Sequence, residues 1–368
     1  MSTSASAVAV VKVGTSSITL PSGELDETAL VKLADDLASA RAGGRRIVLV
    51  MSGAIAAGMP AFGLARRPAD MGTLQAIAAV GQPRLVERMS ALLGKHDVVA
   101  GQVLLTPYDF FHRSQYVHAR QTLERLLELG VLPIVNENDT VADDEIRYGD
   151  NDMLSALVAQ ALGADALVVL TDISGLFTAD PRVDENASLI EEVREVDAAL
   201  ERMAGGAGSE RGSGGMATKL AAATLASRSG VRAVIASAKT PNVVVDALAG
   251  RAVGTMFAAR PVSMSRRKLW IAFARASEGR IVVDDGARRA LVDGGKSLLA
   301  AGVVDVHGDF GAGAAVEVVD GSGALFAKGL CRSYTSTLLA TYRGRRTSEL
   351  PAGFPDEVIH RDDLVVLP

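Results

Sequence analysis

The chain has 368 residues, 48% of them hydrophobic and only 4% aromatic, and its 38 Lys plus Arg against 43 Asp plus Glu give a net charge of −5. That length exceeds one ordinary domain and predicts two, while the slight acidity offers no general attraction to nucleic acid or to an anionic membrane. The single cysteine, Cys331, excludes an internal disulfide and a cysteine-based zinc set, as expected of a reducing cytoplasm, and the five scattered histidines form no metal motif.

The first segment, MSTSASAVAVVKVGTSS, has no basic region ahead of its apolar run and reaches Lys12 within it, so it reads as a first strand rather than a signal peptide. ETALVKLADDLASARAGG follows as a helix, then RIVLVMS as a strand, and this alternation continues to about residue 257 through VVAGQVLL, VLPIV, ALVVLT and RAVIAS. Such βαβ alternation predicts a mostly parallel sheet with helices on both faces. RIVLV, VLPIV and ALVVL are each preceded by a helix-ending glycine or Gly-Ala pair. No apolar run approaches the roughly 20 residues that span a bilayer. After Ala258 the basic SRRK precedes LWIAFA, and short β-rich runs with Gly and Asp turns take over: GRIVVDDGA, AGVVDVHGDF, AAVEVVDGSG and LFAKGLCRS. The expected division is an α/β domain over 1–260, a linker over 261–275 and a small β-barrel domain over 276–368.

Candidate chemistry collects at strand ends, where open α/β sheets bind ligands. In AVAVVKVGTSS the strand carries Lys12 into a Gly-Thr-Ser-Ser turn, and a lysine there can face phosphate while the turn supplies N–H donors. A lysine at a strand end can equally snorkel to solvent, and on this segment alone that plainer role is favoured. RIVLVMSGAIAAGM ends a buried strand in Ser52, Gly53 and Ala54, small residues that admit a ligand or serve tight packing. Val131 to Val135 reads as a buried strand whose carboxyl end presents Asn136, Asn138 and Asp139; Asp150, Asn151 and Asp152 then stand directly before the helix MLSALVAQALGA. Any one of these six could be a turn or cap residue; two such clusters close together point to a site. ALVVLTDISGLFTADP ends its strand in Thr171 and Asp172, which can hold a nucleotide or cap the turn. In GSGGMATKLAAATLASRSG the glycines 212, 214 and 215 lead into a helix bearing Lys219 in its first turns. A cation there is unfavourable without an anion, so a phosphate site is a better reading than a plain linker. Two lysines, a glycine loop and polar strand tips, with no nucleophile beside a histidine, suit phosphoryl transfer, where positioning and charge neutralisation supply most of the catalysis.

The ordered set VVKVGTSS, SGAIAAG, NENDTVADDEIRYGDND, TDISGLFTADP and GGMATK resembles the amino acid kinase family, and the tail resembles the PUA domain that bacterial members commonly carry. The resemblance extends over the whole chain. It implies an amino acid kinase fold and, from the branch matched best, ATP-dependent phosphorylation of the γ-carboxylate of L-glutamate, the first step of proline synthesis. Carried over by position, Lys12 and Lys219 stabilise the phosphoryl group in flight and Asp152 holds both ammonium groups. Ser52, Asp139 and Asn151 match the glutamate positions, with Asn136 and Asp150 as neighbours. Lys12, Thr171, Asp172 and the loop Ser213, Gly214, Gly215, Met216, Ala217, Thr218, Lys219 match the nucleotide site. Mg²⁺ would be held mainly by ATP oxygens and water, so no protein metal site is expected. The resemblance further implies feedback by proline, a homo-oligomer, and hand-off of product to glutamate-5-semialdehyde dehydrogenase. Ser213 replaces a usual threonine and keeps its hydroxyl, Glu210 and Arg211 stand where small or apolar residues are usual, and His118, where asparagine is usual, is assigned no role.

Other amino acid kinases, acting on aspartate or N-acetylglutamate, are the nearest alternatives; an acetylated substrate has no ammonium for Asp139. An RNA-binding PUA protein is the alternative of another class. From Arg266 to Pro368 there are 14 Lys plus Arg against 13 Asp plus Glu, without the basic excess that RNA binding usually needs.

Overall fold

The computed structural model describes residues 7–20, 22–64, 66–110, 113–141, 150–179, 181, 183–196, 200, 215–261, 265–273, 277–351 and 353–367. Two compact units, Met1–Val262 and Ser263–Pro368, make up the chain.

The first unit is built on eight strands, β1 (Val8–Val13), β2 (Arg46–Met51), β3 (Ala100–Leu105), β4 (Leu132–Glu137), β5 (Ala166–Thr171), β6 (Glu192–Val193), β7 (Arg232–Ser237) and β8 (Thr255–Phe257). They lie in the order β3-β4-β2-β1-β5-β7-β8-β6, parallel from β3 to β7, with β8 antiparallel to β7 and β6 parallel to β8. The helices are α1 (Glu27–Ala42), α2 (Ala54–Gly58), α3 (Met71–Gly94), α4 (Arg113–Glu128), α5 (Asp150–Leu162), α6 (Met216–Arg228) and α7 (Val243–Leu248). Asp26 and Asp70 cap α1 and α3 by accepting from the Ala29 and Thr73 amides at 3.1 and 2.8 Å. The helix-ending glycines before β2, β4 and β5 are Gly44, Gly130 and Gly163, at φ 87°, 75° and 60°, a region that costs other residues energy.

Because side chains alternate along a strand, the two faces of the sheet bury different sets. Ala9, Val11 and Val13 of β1, with Ile47, Leu49, Met51, Leu132, Ile134, Val168 and Leu170, join one core with α1, α3 and α7. The intervening residues, Lys12 among them, face the other side, where α5 packs over β1 and against α6. Period two thus sends the Lys12 side chain toward the two helices that carry Asp152 and Lys219.

Two expectations shift by a few residues. Strand β4 extends through Glu137, so Asn136 lies inside it, since its amide is paired away from solvent. Helix α5 begins at Asp150, so Asp150, Asn151 and Asp152 form its first turn rather than precede it.

Helices α2 and α3 meet at backbone distance. A Cβ on Gly81 would lie 1.8 Å from the Ala54 carbonyl oxygen and 2.4 Å from the Gly58 nitrogen. Neither neighbour is a movable side chain. Gly81→Ala is therefore expected to cost about 3 kcal/mol or more, checked by the urea midpoint, and to weaken substrate binding because α2 continues directly from Ser52 and Gly53.

The second unit contains β9 (Gly279–Val283), β10 (Leu298–Leu299), β11 (Val303–His307), β12 (Ala314–Val319), β13 (Leu325–Cys331), β14 (Glu357–Ile359) and β15 (Leu364–Val366). A five-stranded sheet, β11-β9-β12-β13-β15, and the pair β10-β14 enclose a core of Val316, Val318, Tyr334, Leu339 and Val358. All pairings are antiparallel except β9 with β12. Among the described residues the unit also has the α-helices α8 (Arg266–Phe273), α9 (Asp285–Val292) and α10 (Ser336–Tyr342). Helix α8 lies within the segment expected as a linker and packs on β13 and β15. Asp363, fully buried, accepts from Arg267 Nε at 2.7 Å and pairs with Arg332, fixing α8 to the end of the sheet. Cys331 is buried and its thiol is pushed up to about 12 by desolvation, which makes it unreactive.

Candidate active site

Three side chains from distant parts of the chain meet at the carboxyl end of β1. Lys12 Nζ lies 2.5 Å from Asp152 Oδ1, and Lys219 Nζ donates to Asp152 Oδ2 at 3.1 Å. Thr218 Oγ1 also donates to Oδ2, at 2.8 Å. Exposure of Lys12, Asp152 and Lys219 is only 4%, 1% and 8%. Burial by itself pushes the Asp152 carboxyl up, but the Lys12 and Lys219 ammonium groups and the bonds from Lys12 and Thr218 outweigh it and hold the group below its ordinary value. Two ammonium groups and one carboxylate thus stand together in a dry place, where charge-assisted hydrogen bonds to a phosphate oxygen are strong.

The start of α6 adds to that field. Its N-cap is Gly215, with no side-chain cap, so the amides of Met216, Ala217 and Thr218 have no intrahelical acceptor, and the positive end of the helix dipole points the same way. Ser213 and Gly214, assigned to the nucleotide loop, lie outside the described residues, as do Gly212, Glu210 and Arg211. On the next strand Thr171 is buried and donates to the exposed Asp172 at 3.1 Å, beside Ser237 of β7. Gly14 N donates to Leu170 O at 3.4 Å, joining the β1 and β5 tips.

On the opposite flank, over β2 and β4, the polar side chains form an amide ladder. Asn136, 1% exposed, donates through Nδ2 to Gln82 on α3. Its Oδ1 accepts from the Glu137 amide at 2.9 Å and from Asn151 Nδ2 at 3.1 Å, and Asn151 Oδ1 accepts from the same Glu137 amide at 3.2 Å. Ser52 follows β2, its amide donating to Val13 O at 3.1 Å. Asp139 stands just beyond β4, half-buried; desolvation raises its carboxyl to about 6, with Arg67 opposing. The side chain of Asp150 lies outside the described residues. Along the sheet the order is therefore amides and Asp139 over β4 and β2, the lysine pair over β1, and Thr171 and Asp172 over β5.

Two residues of this constellation were not singled out in the sequence. Gln82 stands in the apolar stripe Leu74, Ile77, Ala78, Leu85 of α3, between Gly81 and Pro83, and an amide at a core position of a helix is the signal that could have found it. Glu137, 3% exposed, is hidden in NEND, whose polar letters resemble a loop although its first two residues end β4. Among the described residues no three His, Cys, Asp or Glu side chains converge as a metal site, and no helix is long and apolar enough to cross a membrane.

The model of the amino acid kinase family matches residues 7–237, and that of the PUA domain residues 279–353. Glutamate 5-kinase of Vibrio parahaemolyticus is 45% identical over 97% of this chain and 95% of its own length. Glutamate 5-kinases of Mycobacterium ulcerans and of an Azoarcus species are 47% and 48% identical, over 97% of this chain and 96% and 97% of theirs. Among solved structures, carbamate kinase from Giardia lamblia bound to AMP-PNP covers 70% of this chain and 99% of its own with a TM-score of 0.52 at 19% identity, a likeness of fold. The chain belongs to the amino acid kinase family, in its glutamate 5-kinase branch and with a C-terminal PUA domain.

Proposed function

We propose that this enzyme uses ATP to phosphorylate the γ-carboxylate of L-glutamate, giving γ-glutamyl phosphate for proline synthesis. The observation that carries the chemistry is Asp152 bridging Lys12 and Lys219 in a buried site. The substrate follows from the likeness to glutamate 5-kinases over nearly the whole chain. The attacking carboxylate is ionised at neutral pH, so no general base is required. Its oxygen forms a bond to the γ-phosphorus as the bond to the bridging oxygen breaks and ADP leaves. Lys12 and Lys219 neutralise charge on the transferring group, and Asp152 keeps their ammonium groups where that charge develops. Thr171, Asp172 and the segment 213–219 hold the nucleotide. Both Asp152 oxygens are engaged by Lys12, Lys219 and Thr218, a donor set that fits Mg²⁺ held by the nucleotide's oxygens and water rather than by this carboxylate.

Asp139 receives the substrate ammonium, and Ser52 and Asn151 with nearby backbone N–H groups receive the α-carboxylate, beside Asn136 and Asp150. Ammonium binding requires the ionised form of Asp139. With the carboxyl at about 6 in the free protein, KM for glutamate should rise as pH falls through that value, by about tenfold per unit below it. A flat KM between pH 8 and 5 would contradict the assignment. Proline retains an α-carboxylate and an ammonium but has no group to phosphorylate, which fits an inhibitor at or beside the same side chains. Relatedness supports a homo-oligomer in the cytoplasm, and the lability of an acyl phosphate in water supports hand-off to glutamate-5-semialdehyde dehydrogenase.

The test is to incubate enzyme, ATP and Mg²⁺ with L-glutamate, L-aspartate or N-acetyl-L-glutamate and trap acyl phosphate as hydroxamate. Product with L-glutamate is expected; product only with one of the others would sink the assignment.

A further inference from the structure

We infer that Gln82 is a positioning residue for amino acid binding: through Asn136 it reinforces, together with the Glu137 amide, the facing of the Asn151 amide in which Asn151 offers N–H, not C=O, to the substrate's α-carboxylate. Assigning Asn151 to the α-carboxylate rests on the glutamate site proposed for this flank.

The polarity of the ladder is set by the Glu137 main-chain N–H, which donates to both asparagine oxygens, and is reinforced from the buried end. Gln82 Oε1 takes a hydrogen of Asn136 Nδ2, which turns Asn136 Oδ1 toward the Glu137 amide and Asn151. Asn151 then spends one Nδ2 hydrogen on Asn136 at 3.1 Å and turns its own Oδ1 toward the Glu137 amide at 3.2 Å. The second Nδ2 hydrogen remains to meet a carboxylate. Were Asn136 reversed, its Nδ2 would confront the Glu137 and Asn151 donors, and a reversal of Asn151 to relieve this would turn its own Nδ2 on the same Glu137 N–H and present an oxygen to an anion.

A second observation shows that packing does not explain Gln82. Its Nε2 is buried without a hydrogen-bond partner among the described residues, which is destabilising, in a stripe where an apolar residue would fill the space. An acceptor at Oε1 is what the glutamine supplies. Gly81, packed on the Ala54 carbonyl and the Gly58 nitrogen, holds α3 in the register that puts this acceptor behind β4.

The experiment compares Gln82→Met, Gln82→Glu and Asn151→Ala in the full-length enzyme, measuring KM for glutamate and for ATP, and Tm. Gln82→Met should raise KM for glutamate about tenfold, as loss of one oriented hydrogen bond implies, with KM for ATP and Tm little changed. Gln82→Glu keeps an acceptor in either protonation state and should restore wild-type KM. An unchanged glutamate KM in Gln82→Met alongside a raised one in Asn151→Ala would overturn the role of Gln82 alone. Unchanged values in both would overturn the glutamate site with it. Equal rises in both KM values without rescue by glutamate at position 82 would mark a purely structural residue. If Gln82→Met folds poorly, Gln82→Glu decides: wild-type KM at an equal or higher Tm supports the role, and a tenfold rise in KM for glutamate overturns it.

Discussion

Lys219→Ala is expected to lower kcat by about a hundred- to a thousandfold, the range for removing one preorganised group that meets transition-state charge. KM for glutamate should stay within a few fold, because Asp139, Ser52 and Asn151 lie on the other flank of the sheet. Stability should not suffer. Asp152 keeps its pairing with Lys12 at 2.5 Å and its bond from Thr218 at 2.8 Å, and the substitution removes the desolvation cost of an ammonium group only 8% exposed. Steady-state kinetics and a thermal melt together check this, and near-normal turnover would remove Lys219 from the reacting centre.

Asp152→Asn is expected to do the reverse to stability while also abolishing turnover. The carboxylate is 1% exposed, and without it two ammonium groups face each other in a dry site, a loss of about 3–5 kcal/mol for breaking a buried pair from one side. The urea midpoint should fall accordingly. Inorganic phosphate should recover more stability in the variant than in the parent, since an anion replaces the missing charge. An unchanged midpoint would mean that the lysines are not held by this group. The pH sign follows from the same contacts. The folded-state carboxyl is held below the ordinary 3.8, so its stabilising contribution is complete above that value and disappears as pH falls through the lower folded one.

Much of the sheet was legible because RIVLV, VLPIV and ALVVL are short valine-rich runs, each with a helix-ending glycine or Gly-Ala pair before it, a pattern set by local backbone chemistry. ALVVLT and RAVIAS coincide with β5 and β7 residue for residue. The end of β4 was misread because Asn136 and Glu137 look like loop residues. Both are buried, and it is the amide ladder, a long-range contact with α3, that carries them into the strand. Lys12, Asp152 and Lys219 were individually ambiguous: a strand-end lysine, a helix-start aspartate and a lysine at an unfavourable helix position. Only the ordered likeness to a family joined them, because 140 and 67 residues separate Asp152 from its two partners. Gln82 is marked in the sequence only as an amide at a core position of its helix, and its partner depends on which strand that helix packs behind. The tail, with 14 Lys plus Arg against 13 Asp plus Glu, lacks the basic excess that RNA binding usually needs, and that balance assigns the PUA domain no role of its own.

The most direct test is a crystal structure with L-glutamate and a non-hydrolysable ATP analogue. The γ-phosphate should lie between the Lys12 and Lys219 ammonium groups with Asp152 bridging them from behind, the glutamate γ-carboxylate in line with it and the substrate ammonium on Asp139. A γ-phosphate away from both lysines, or a glutamate whose ammonium meets no carboxylate at Asp139, would contradict the account.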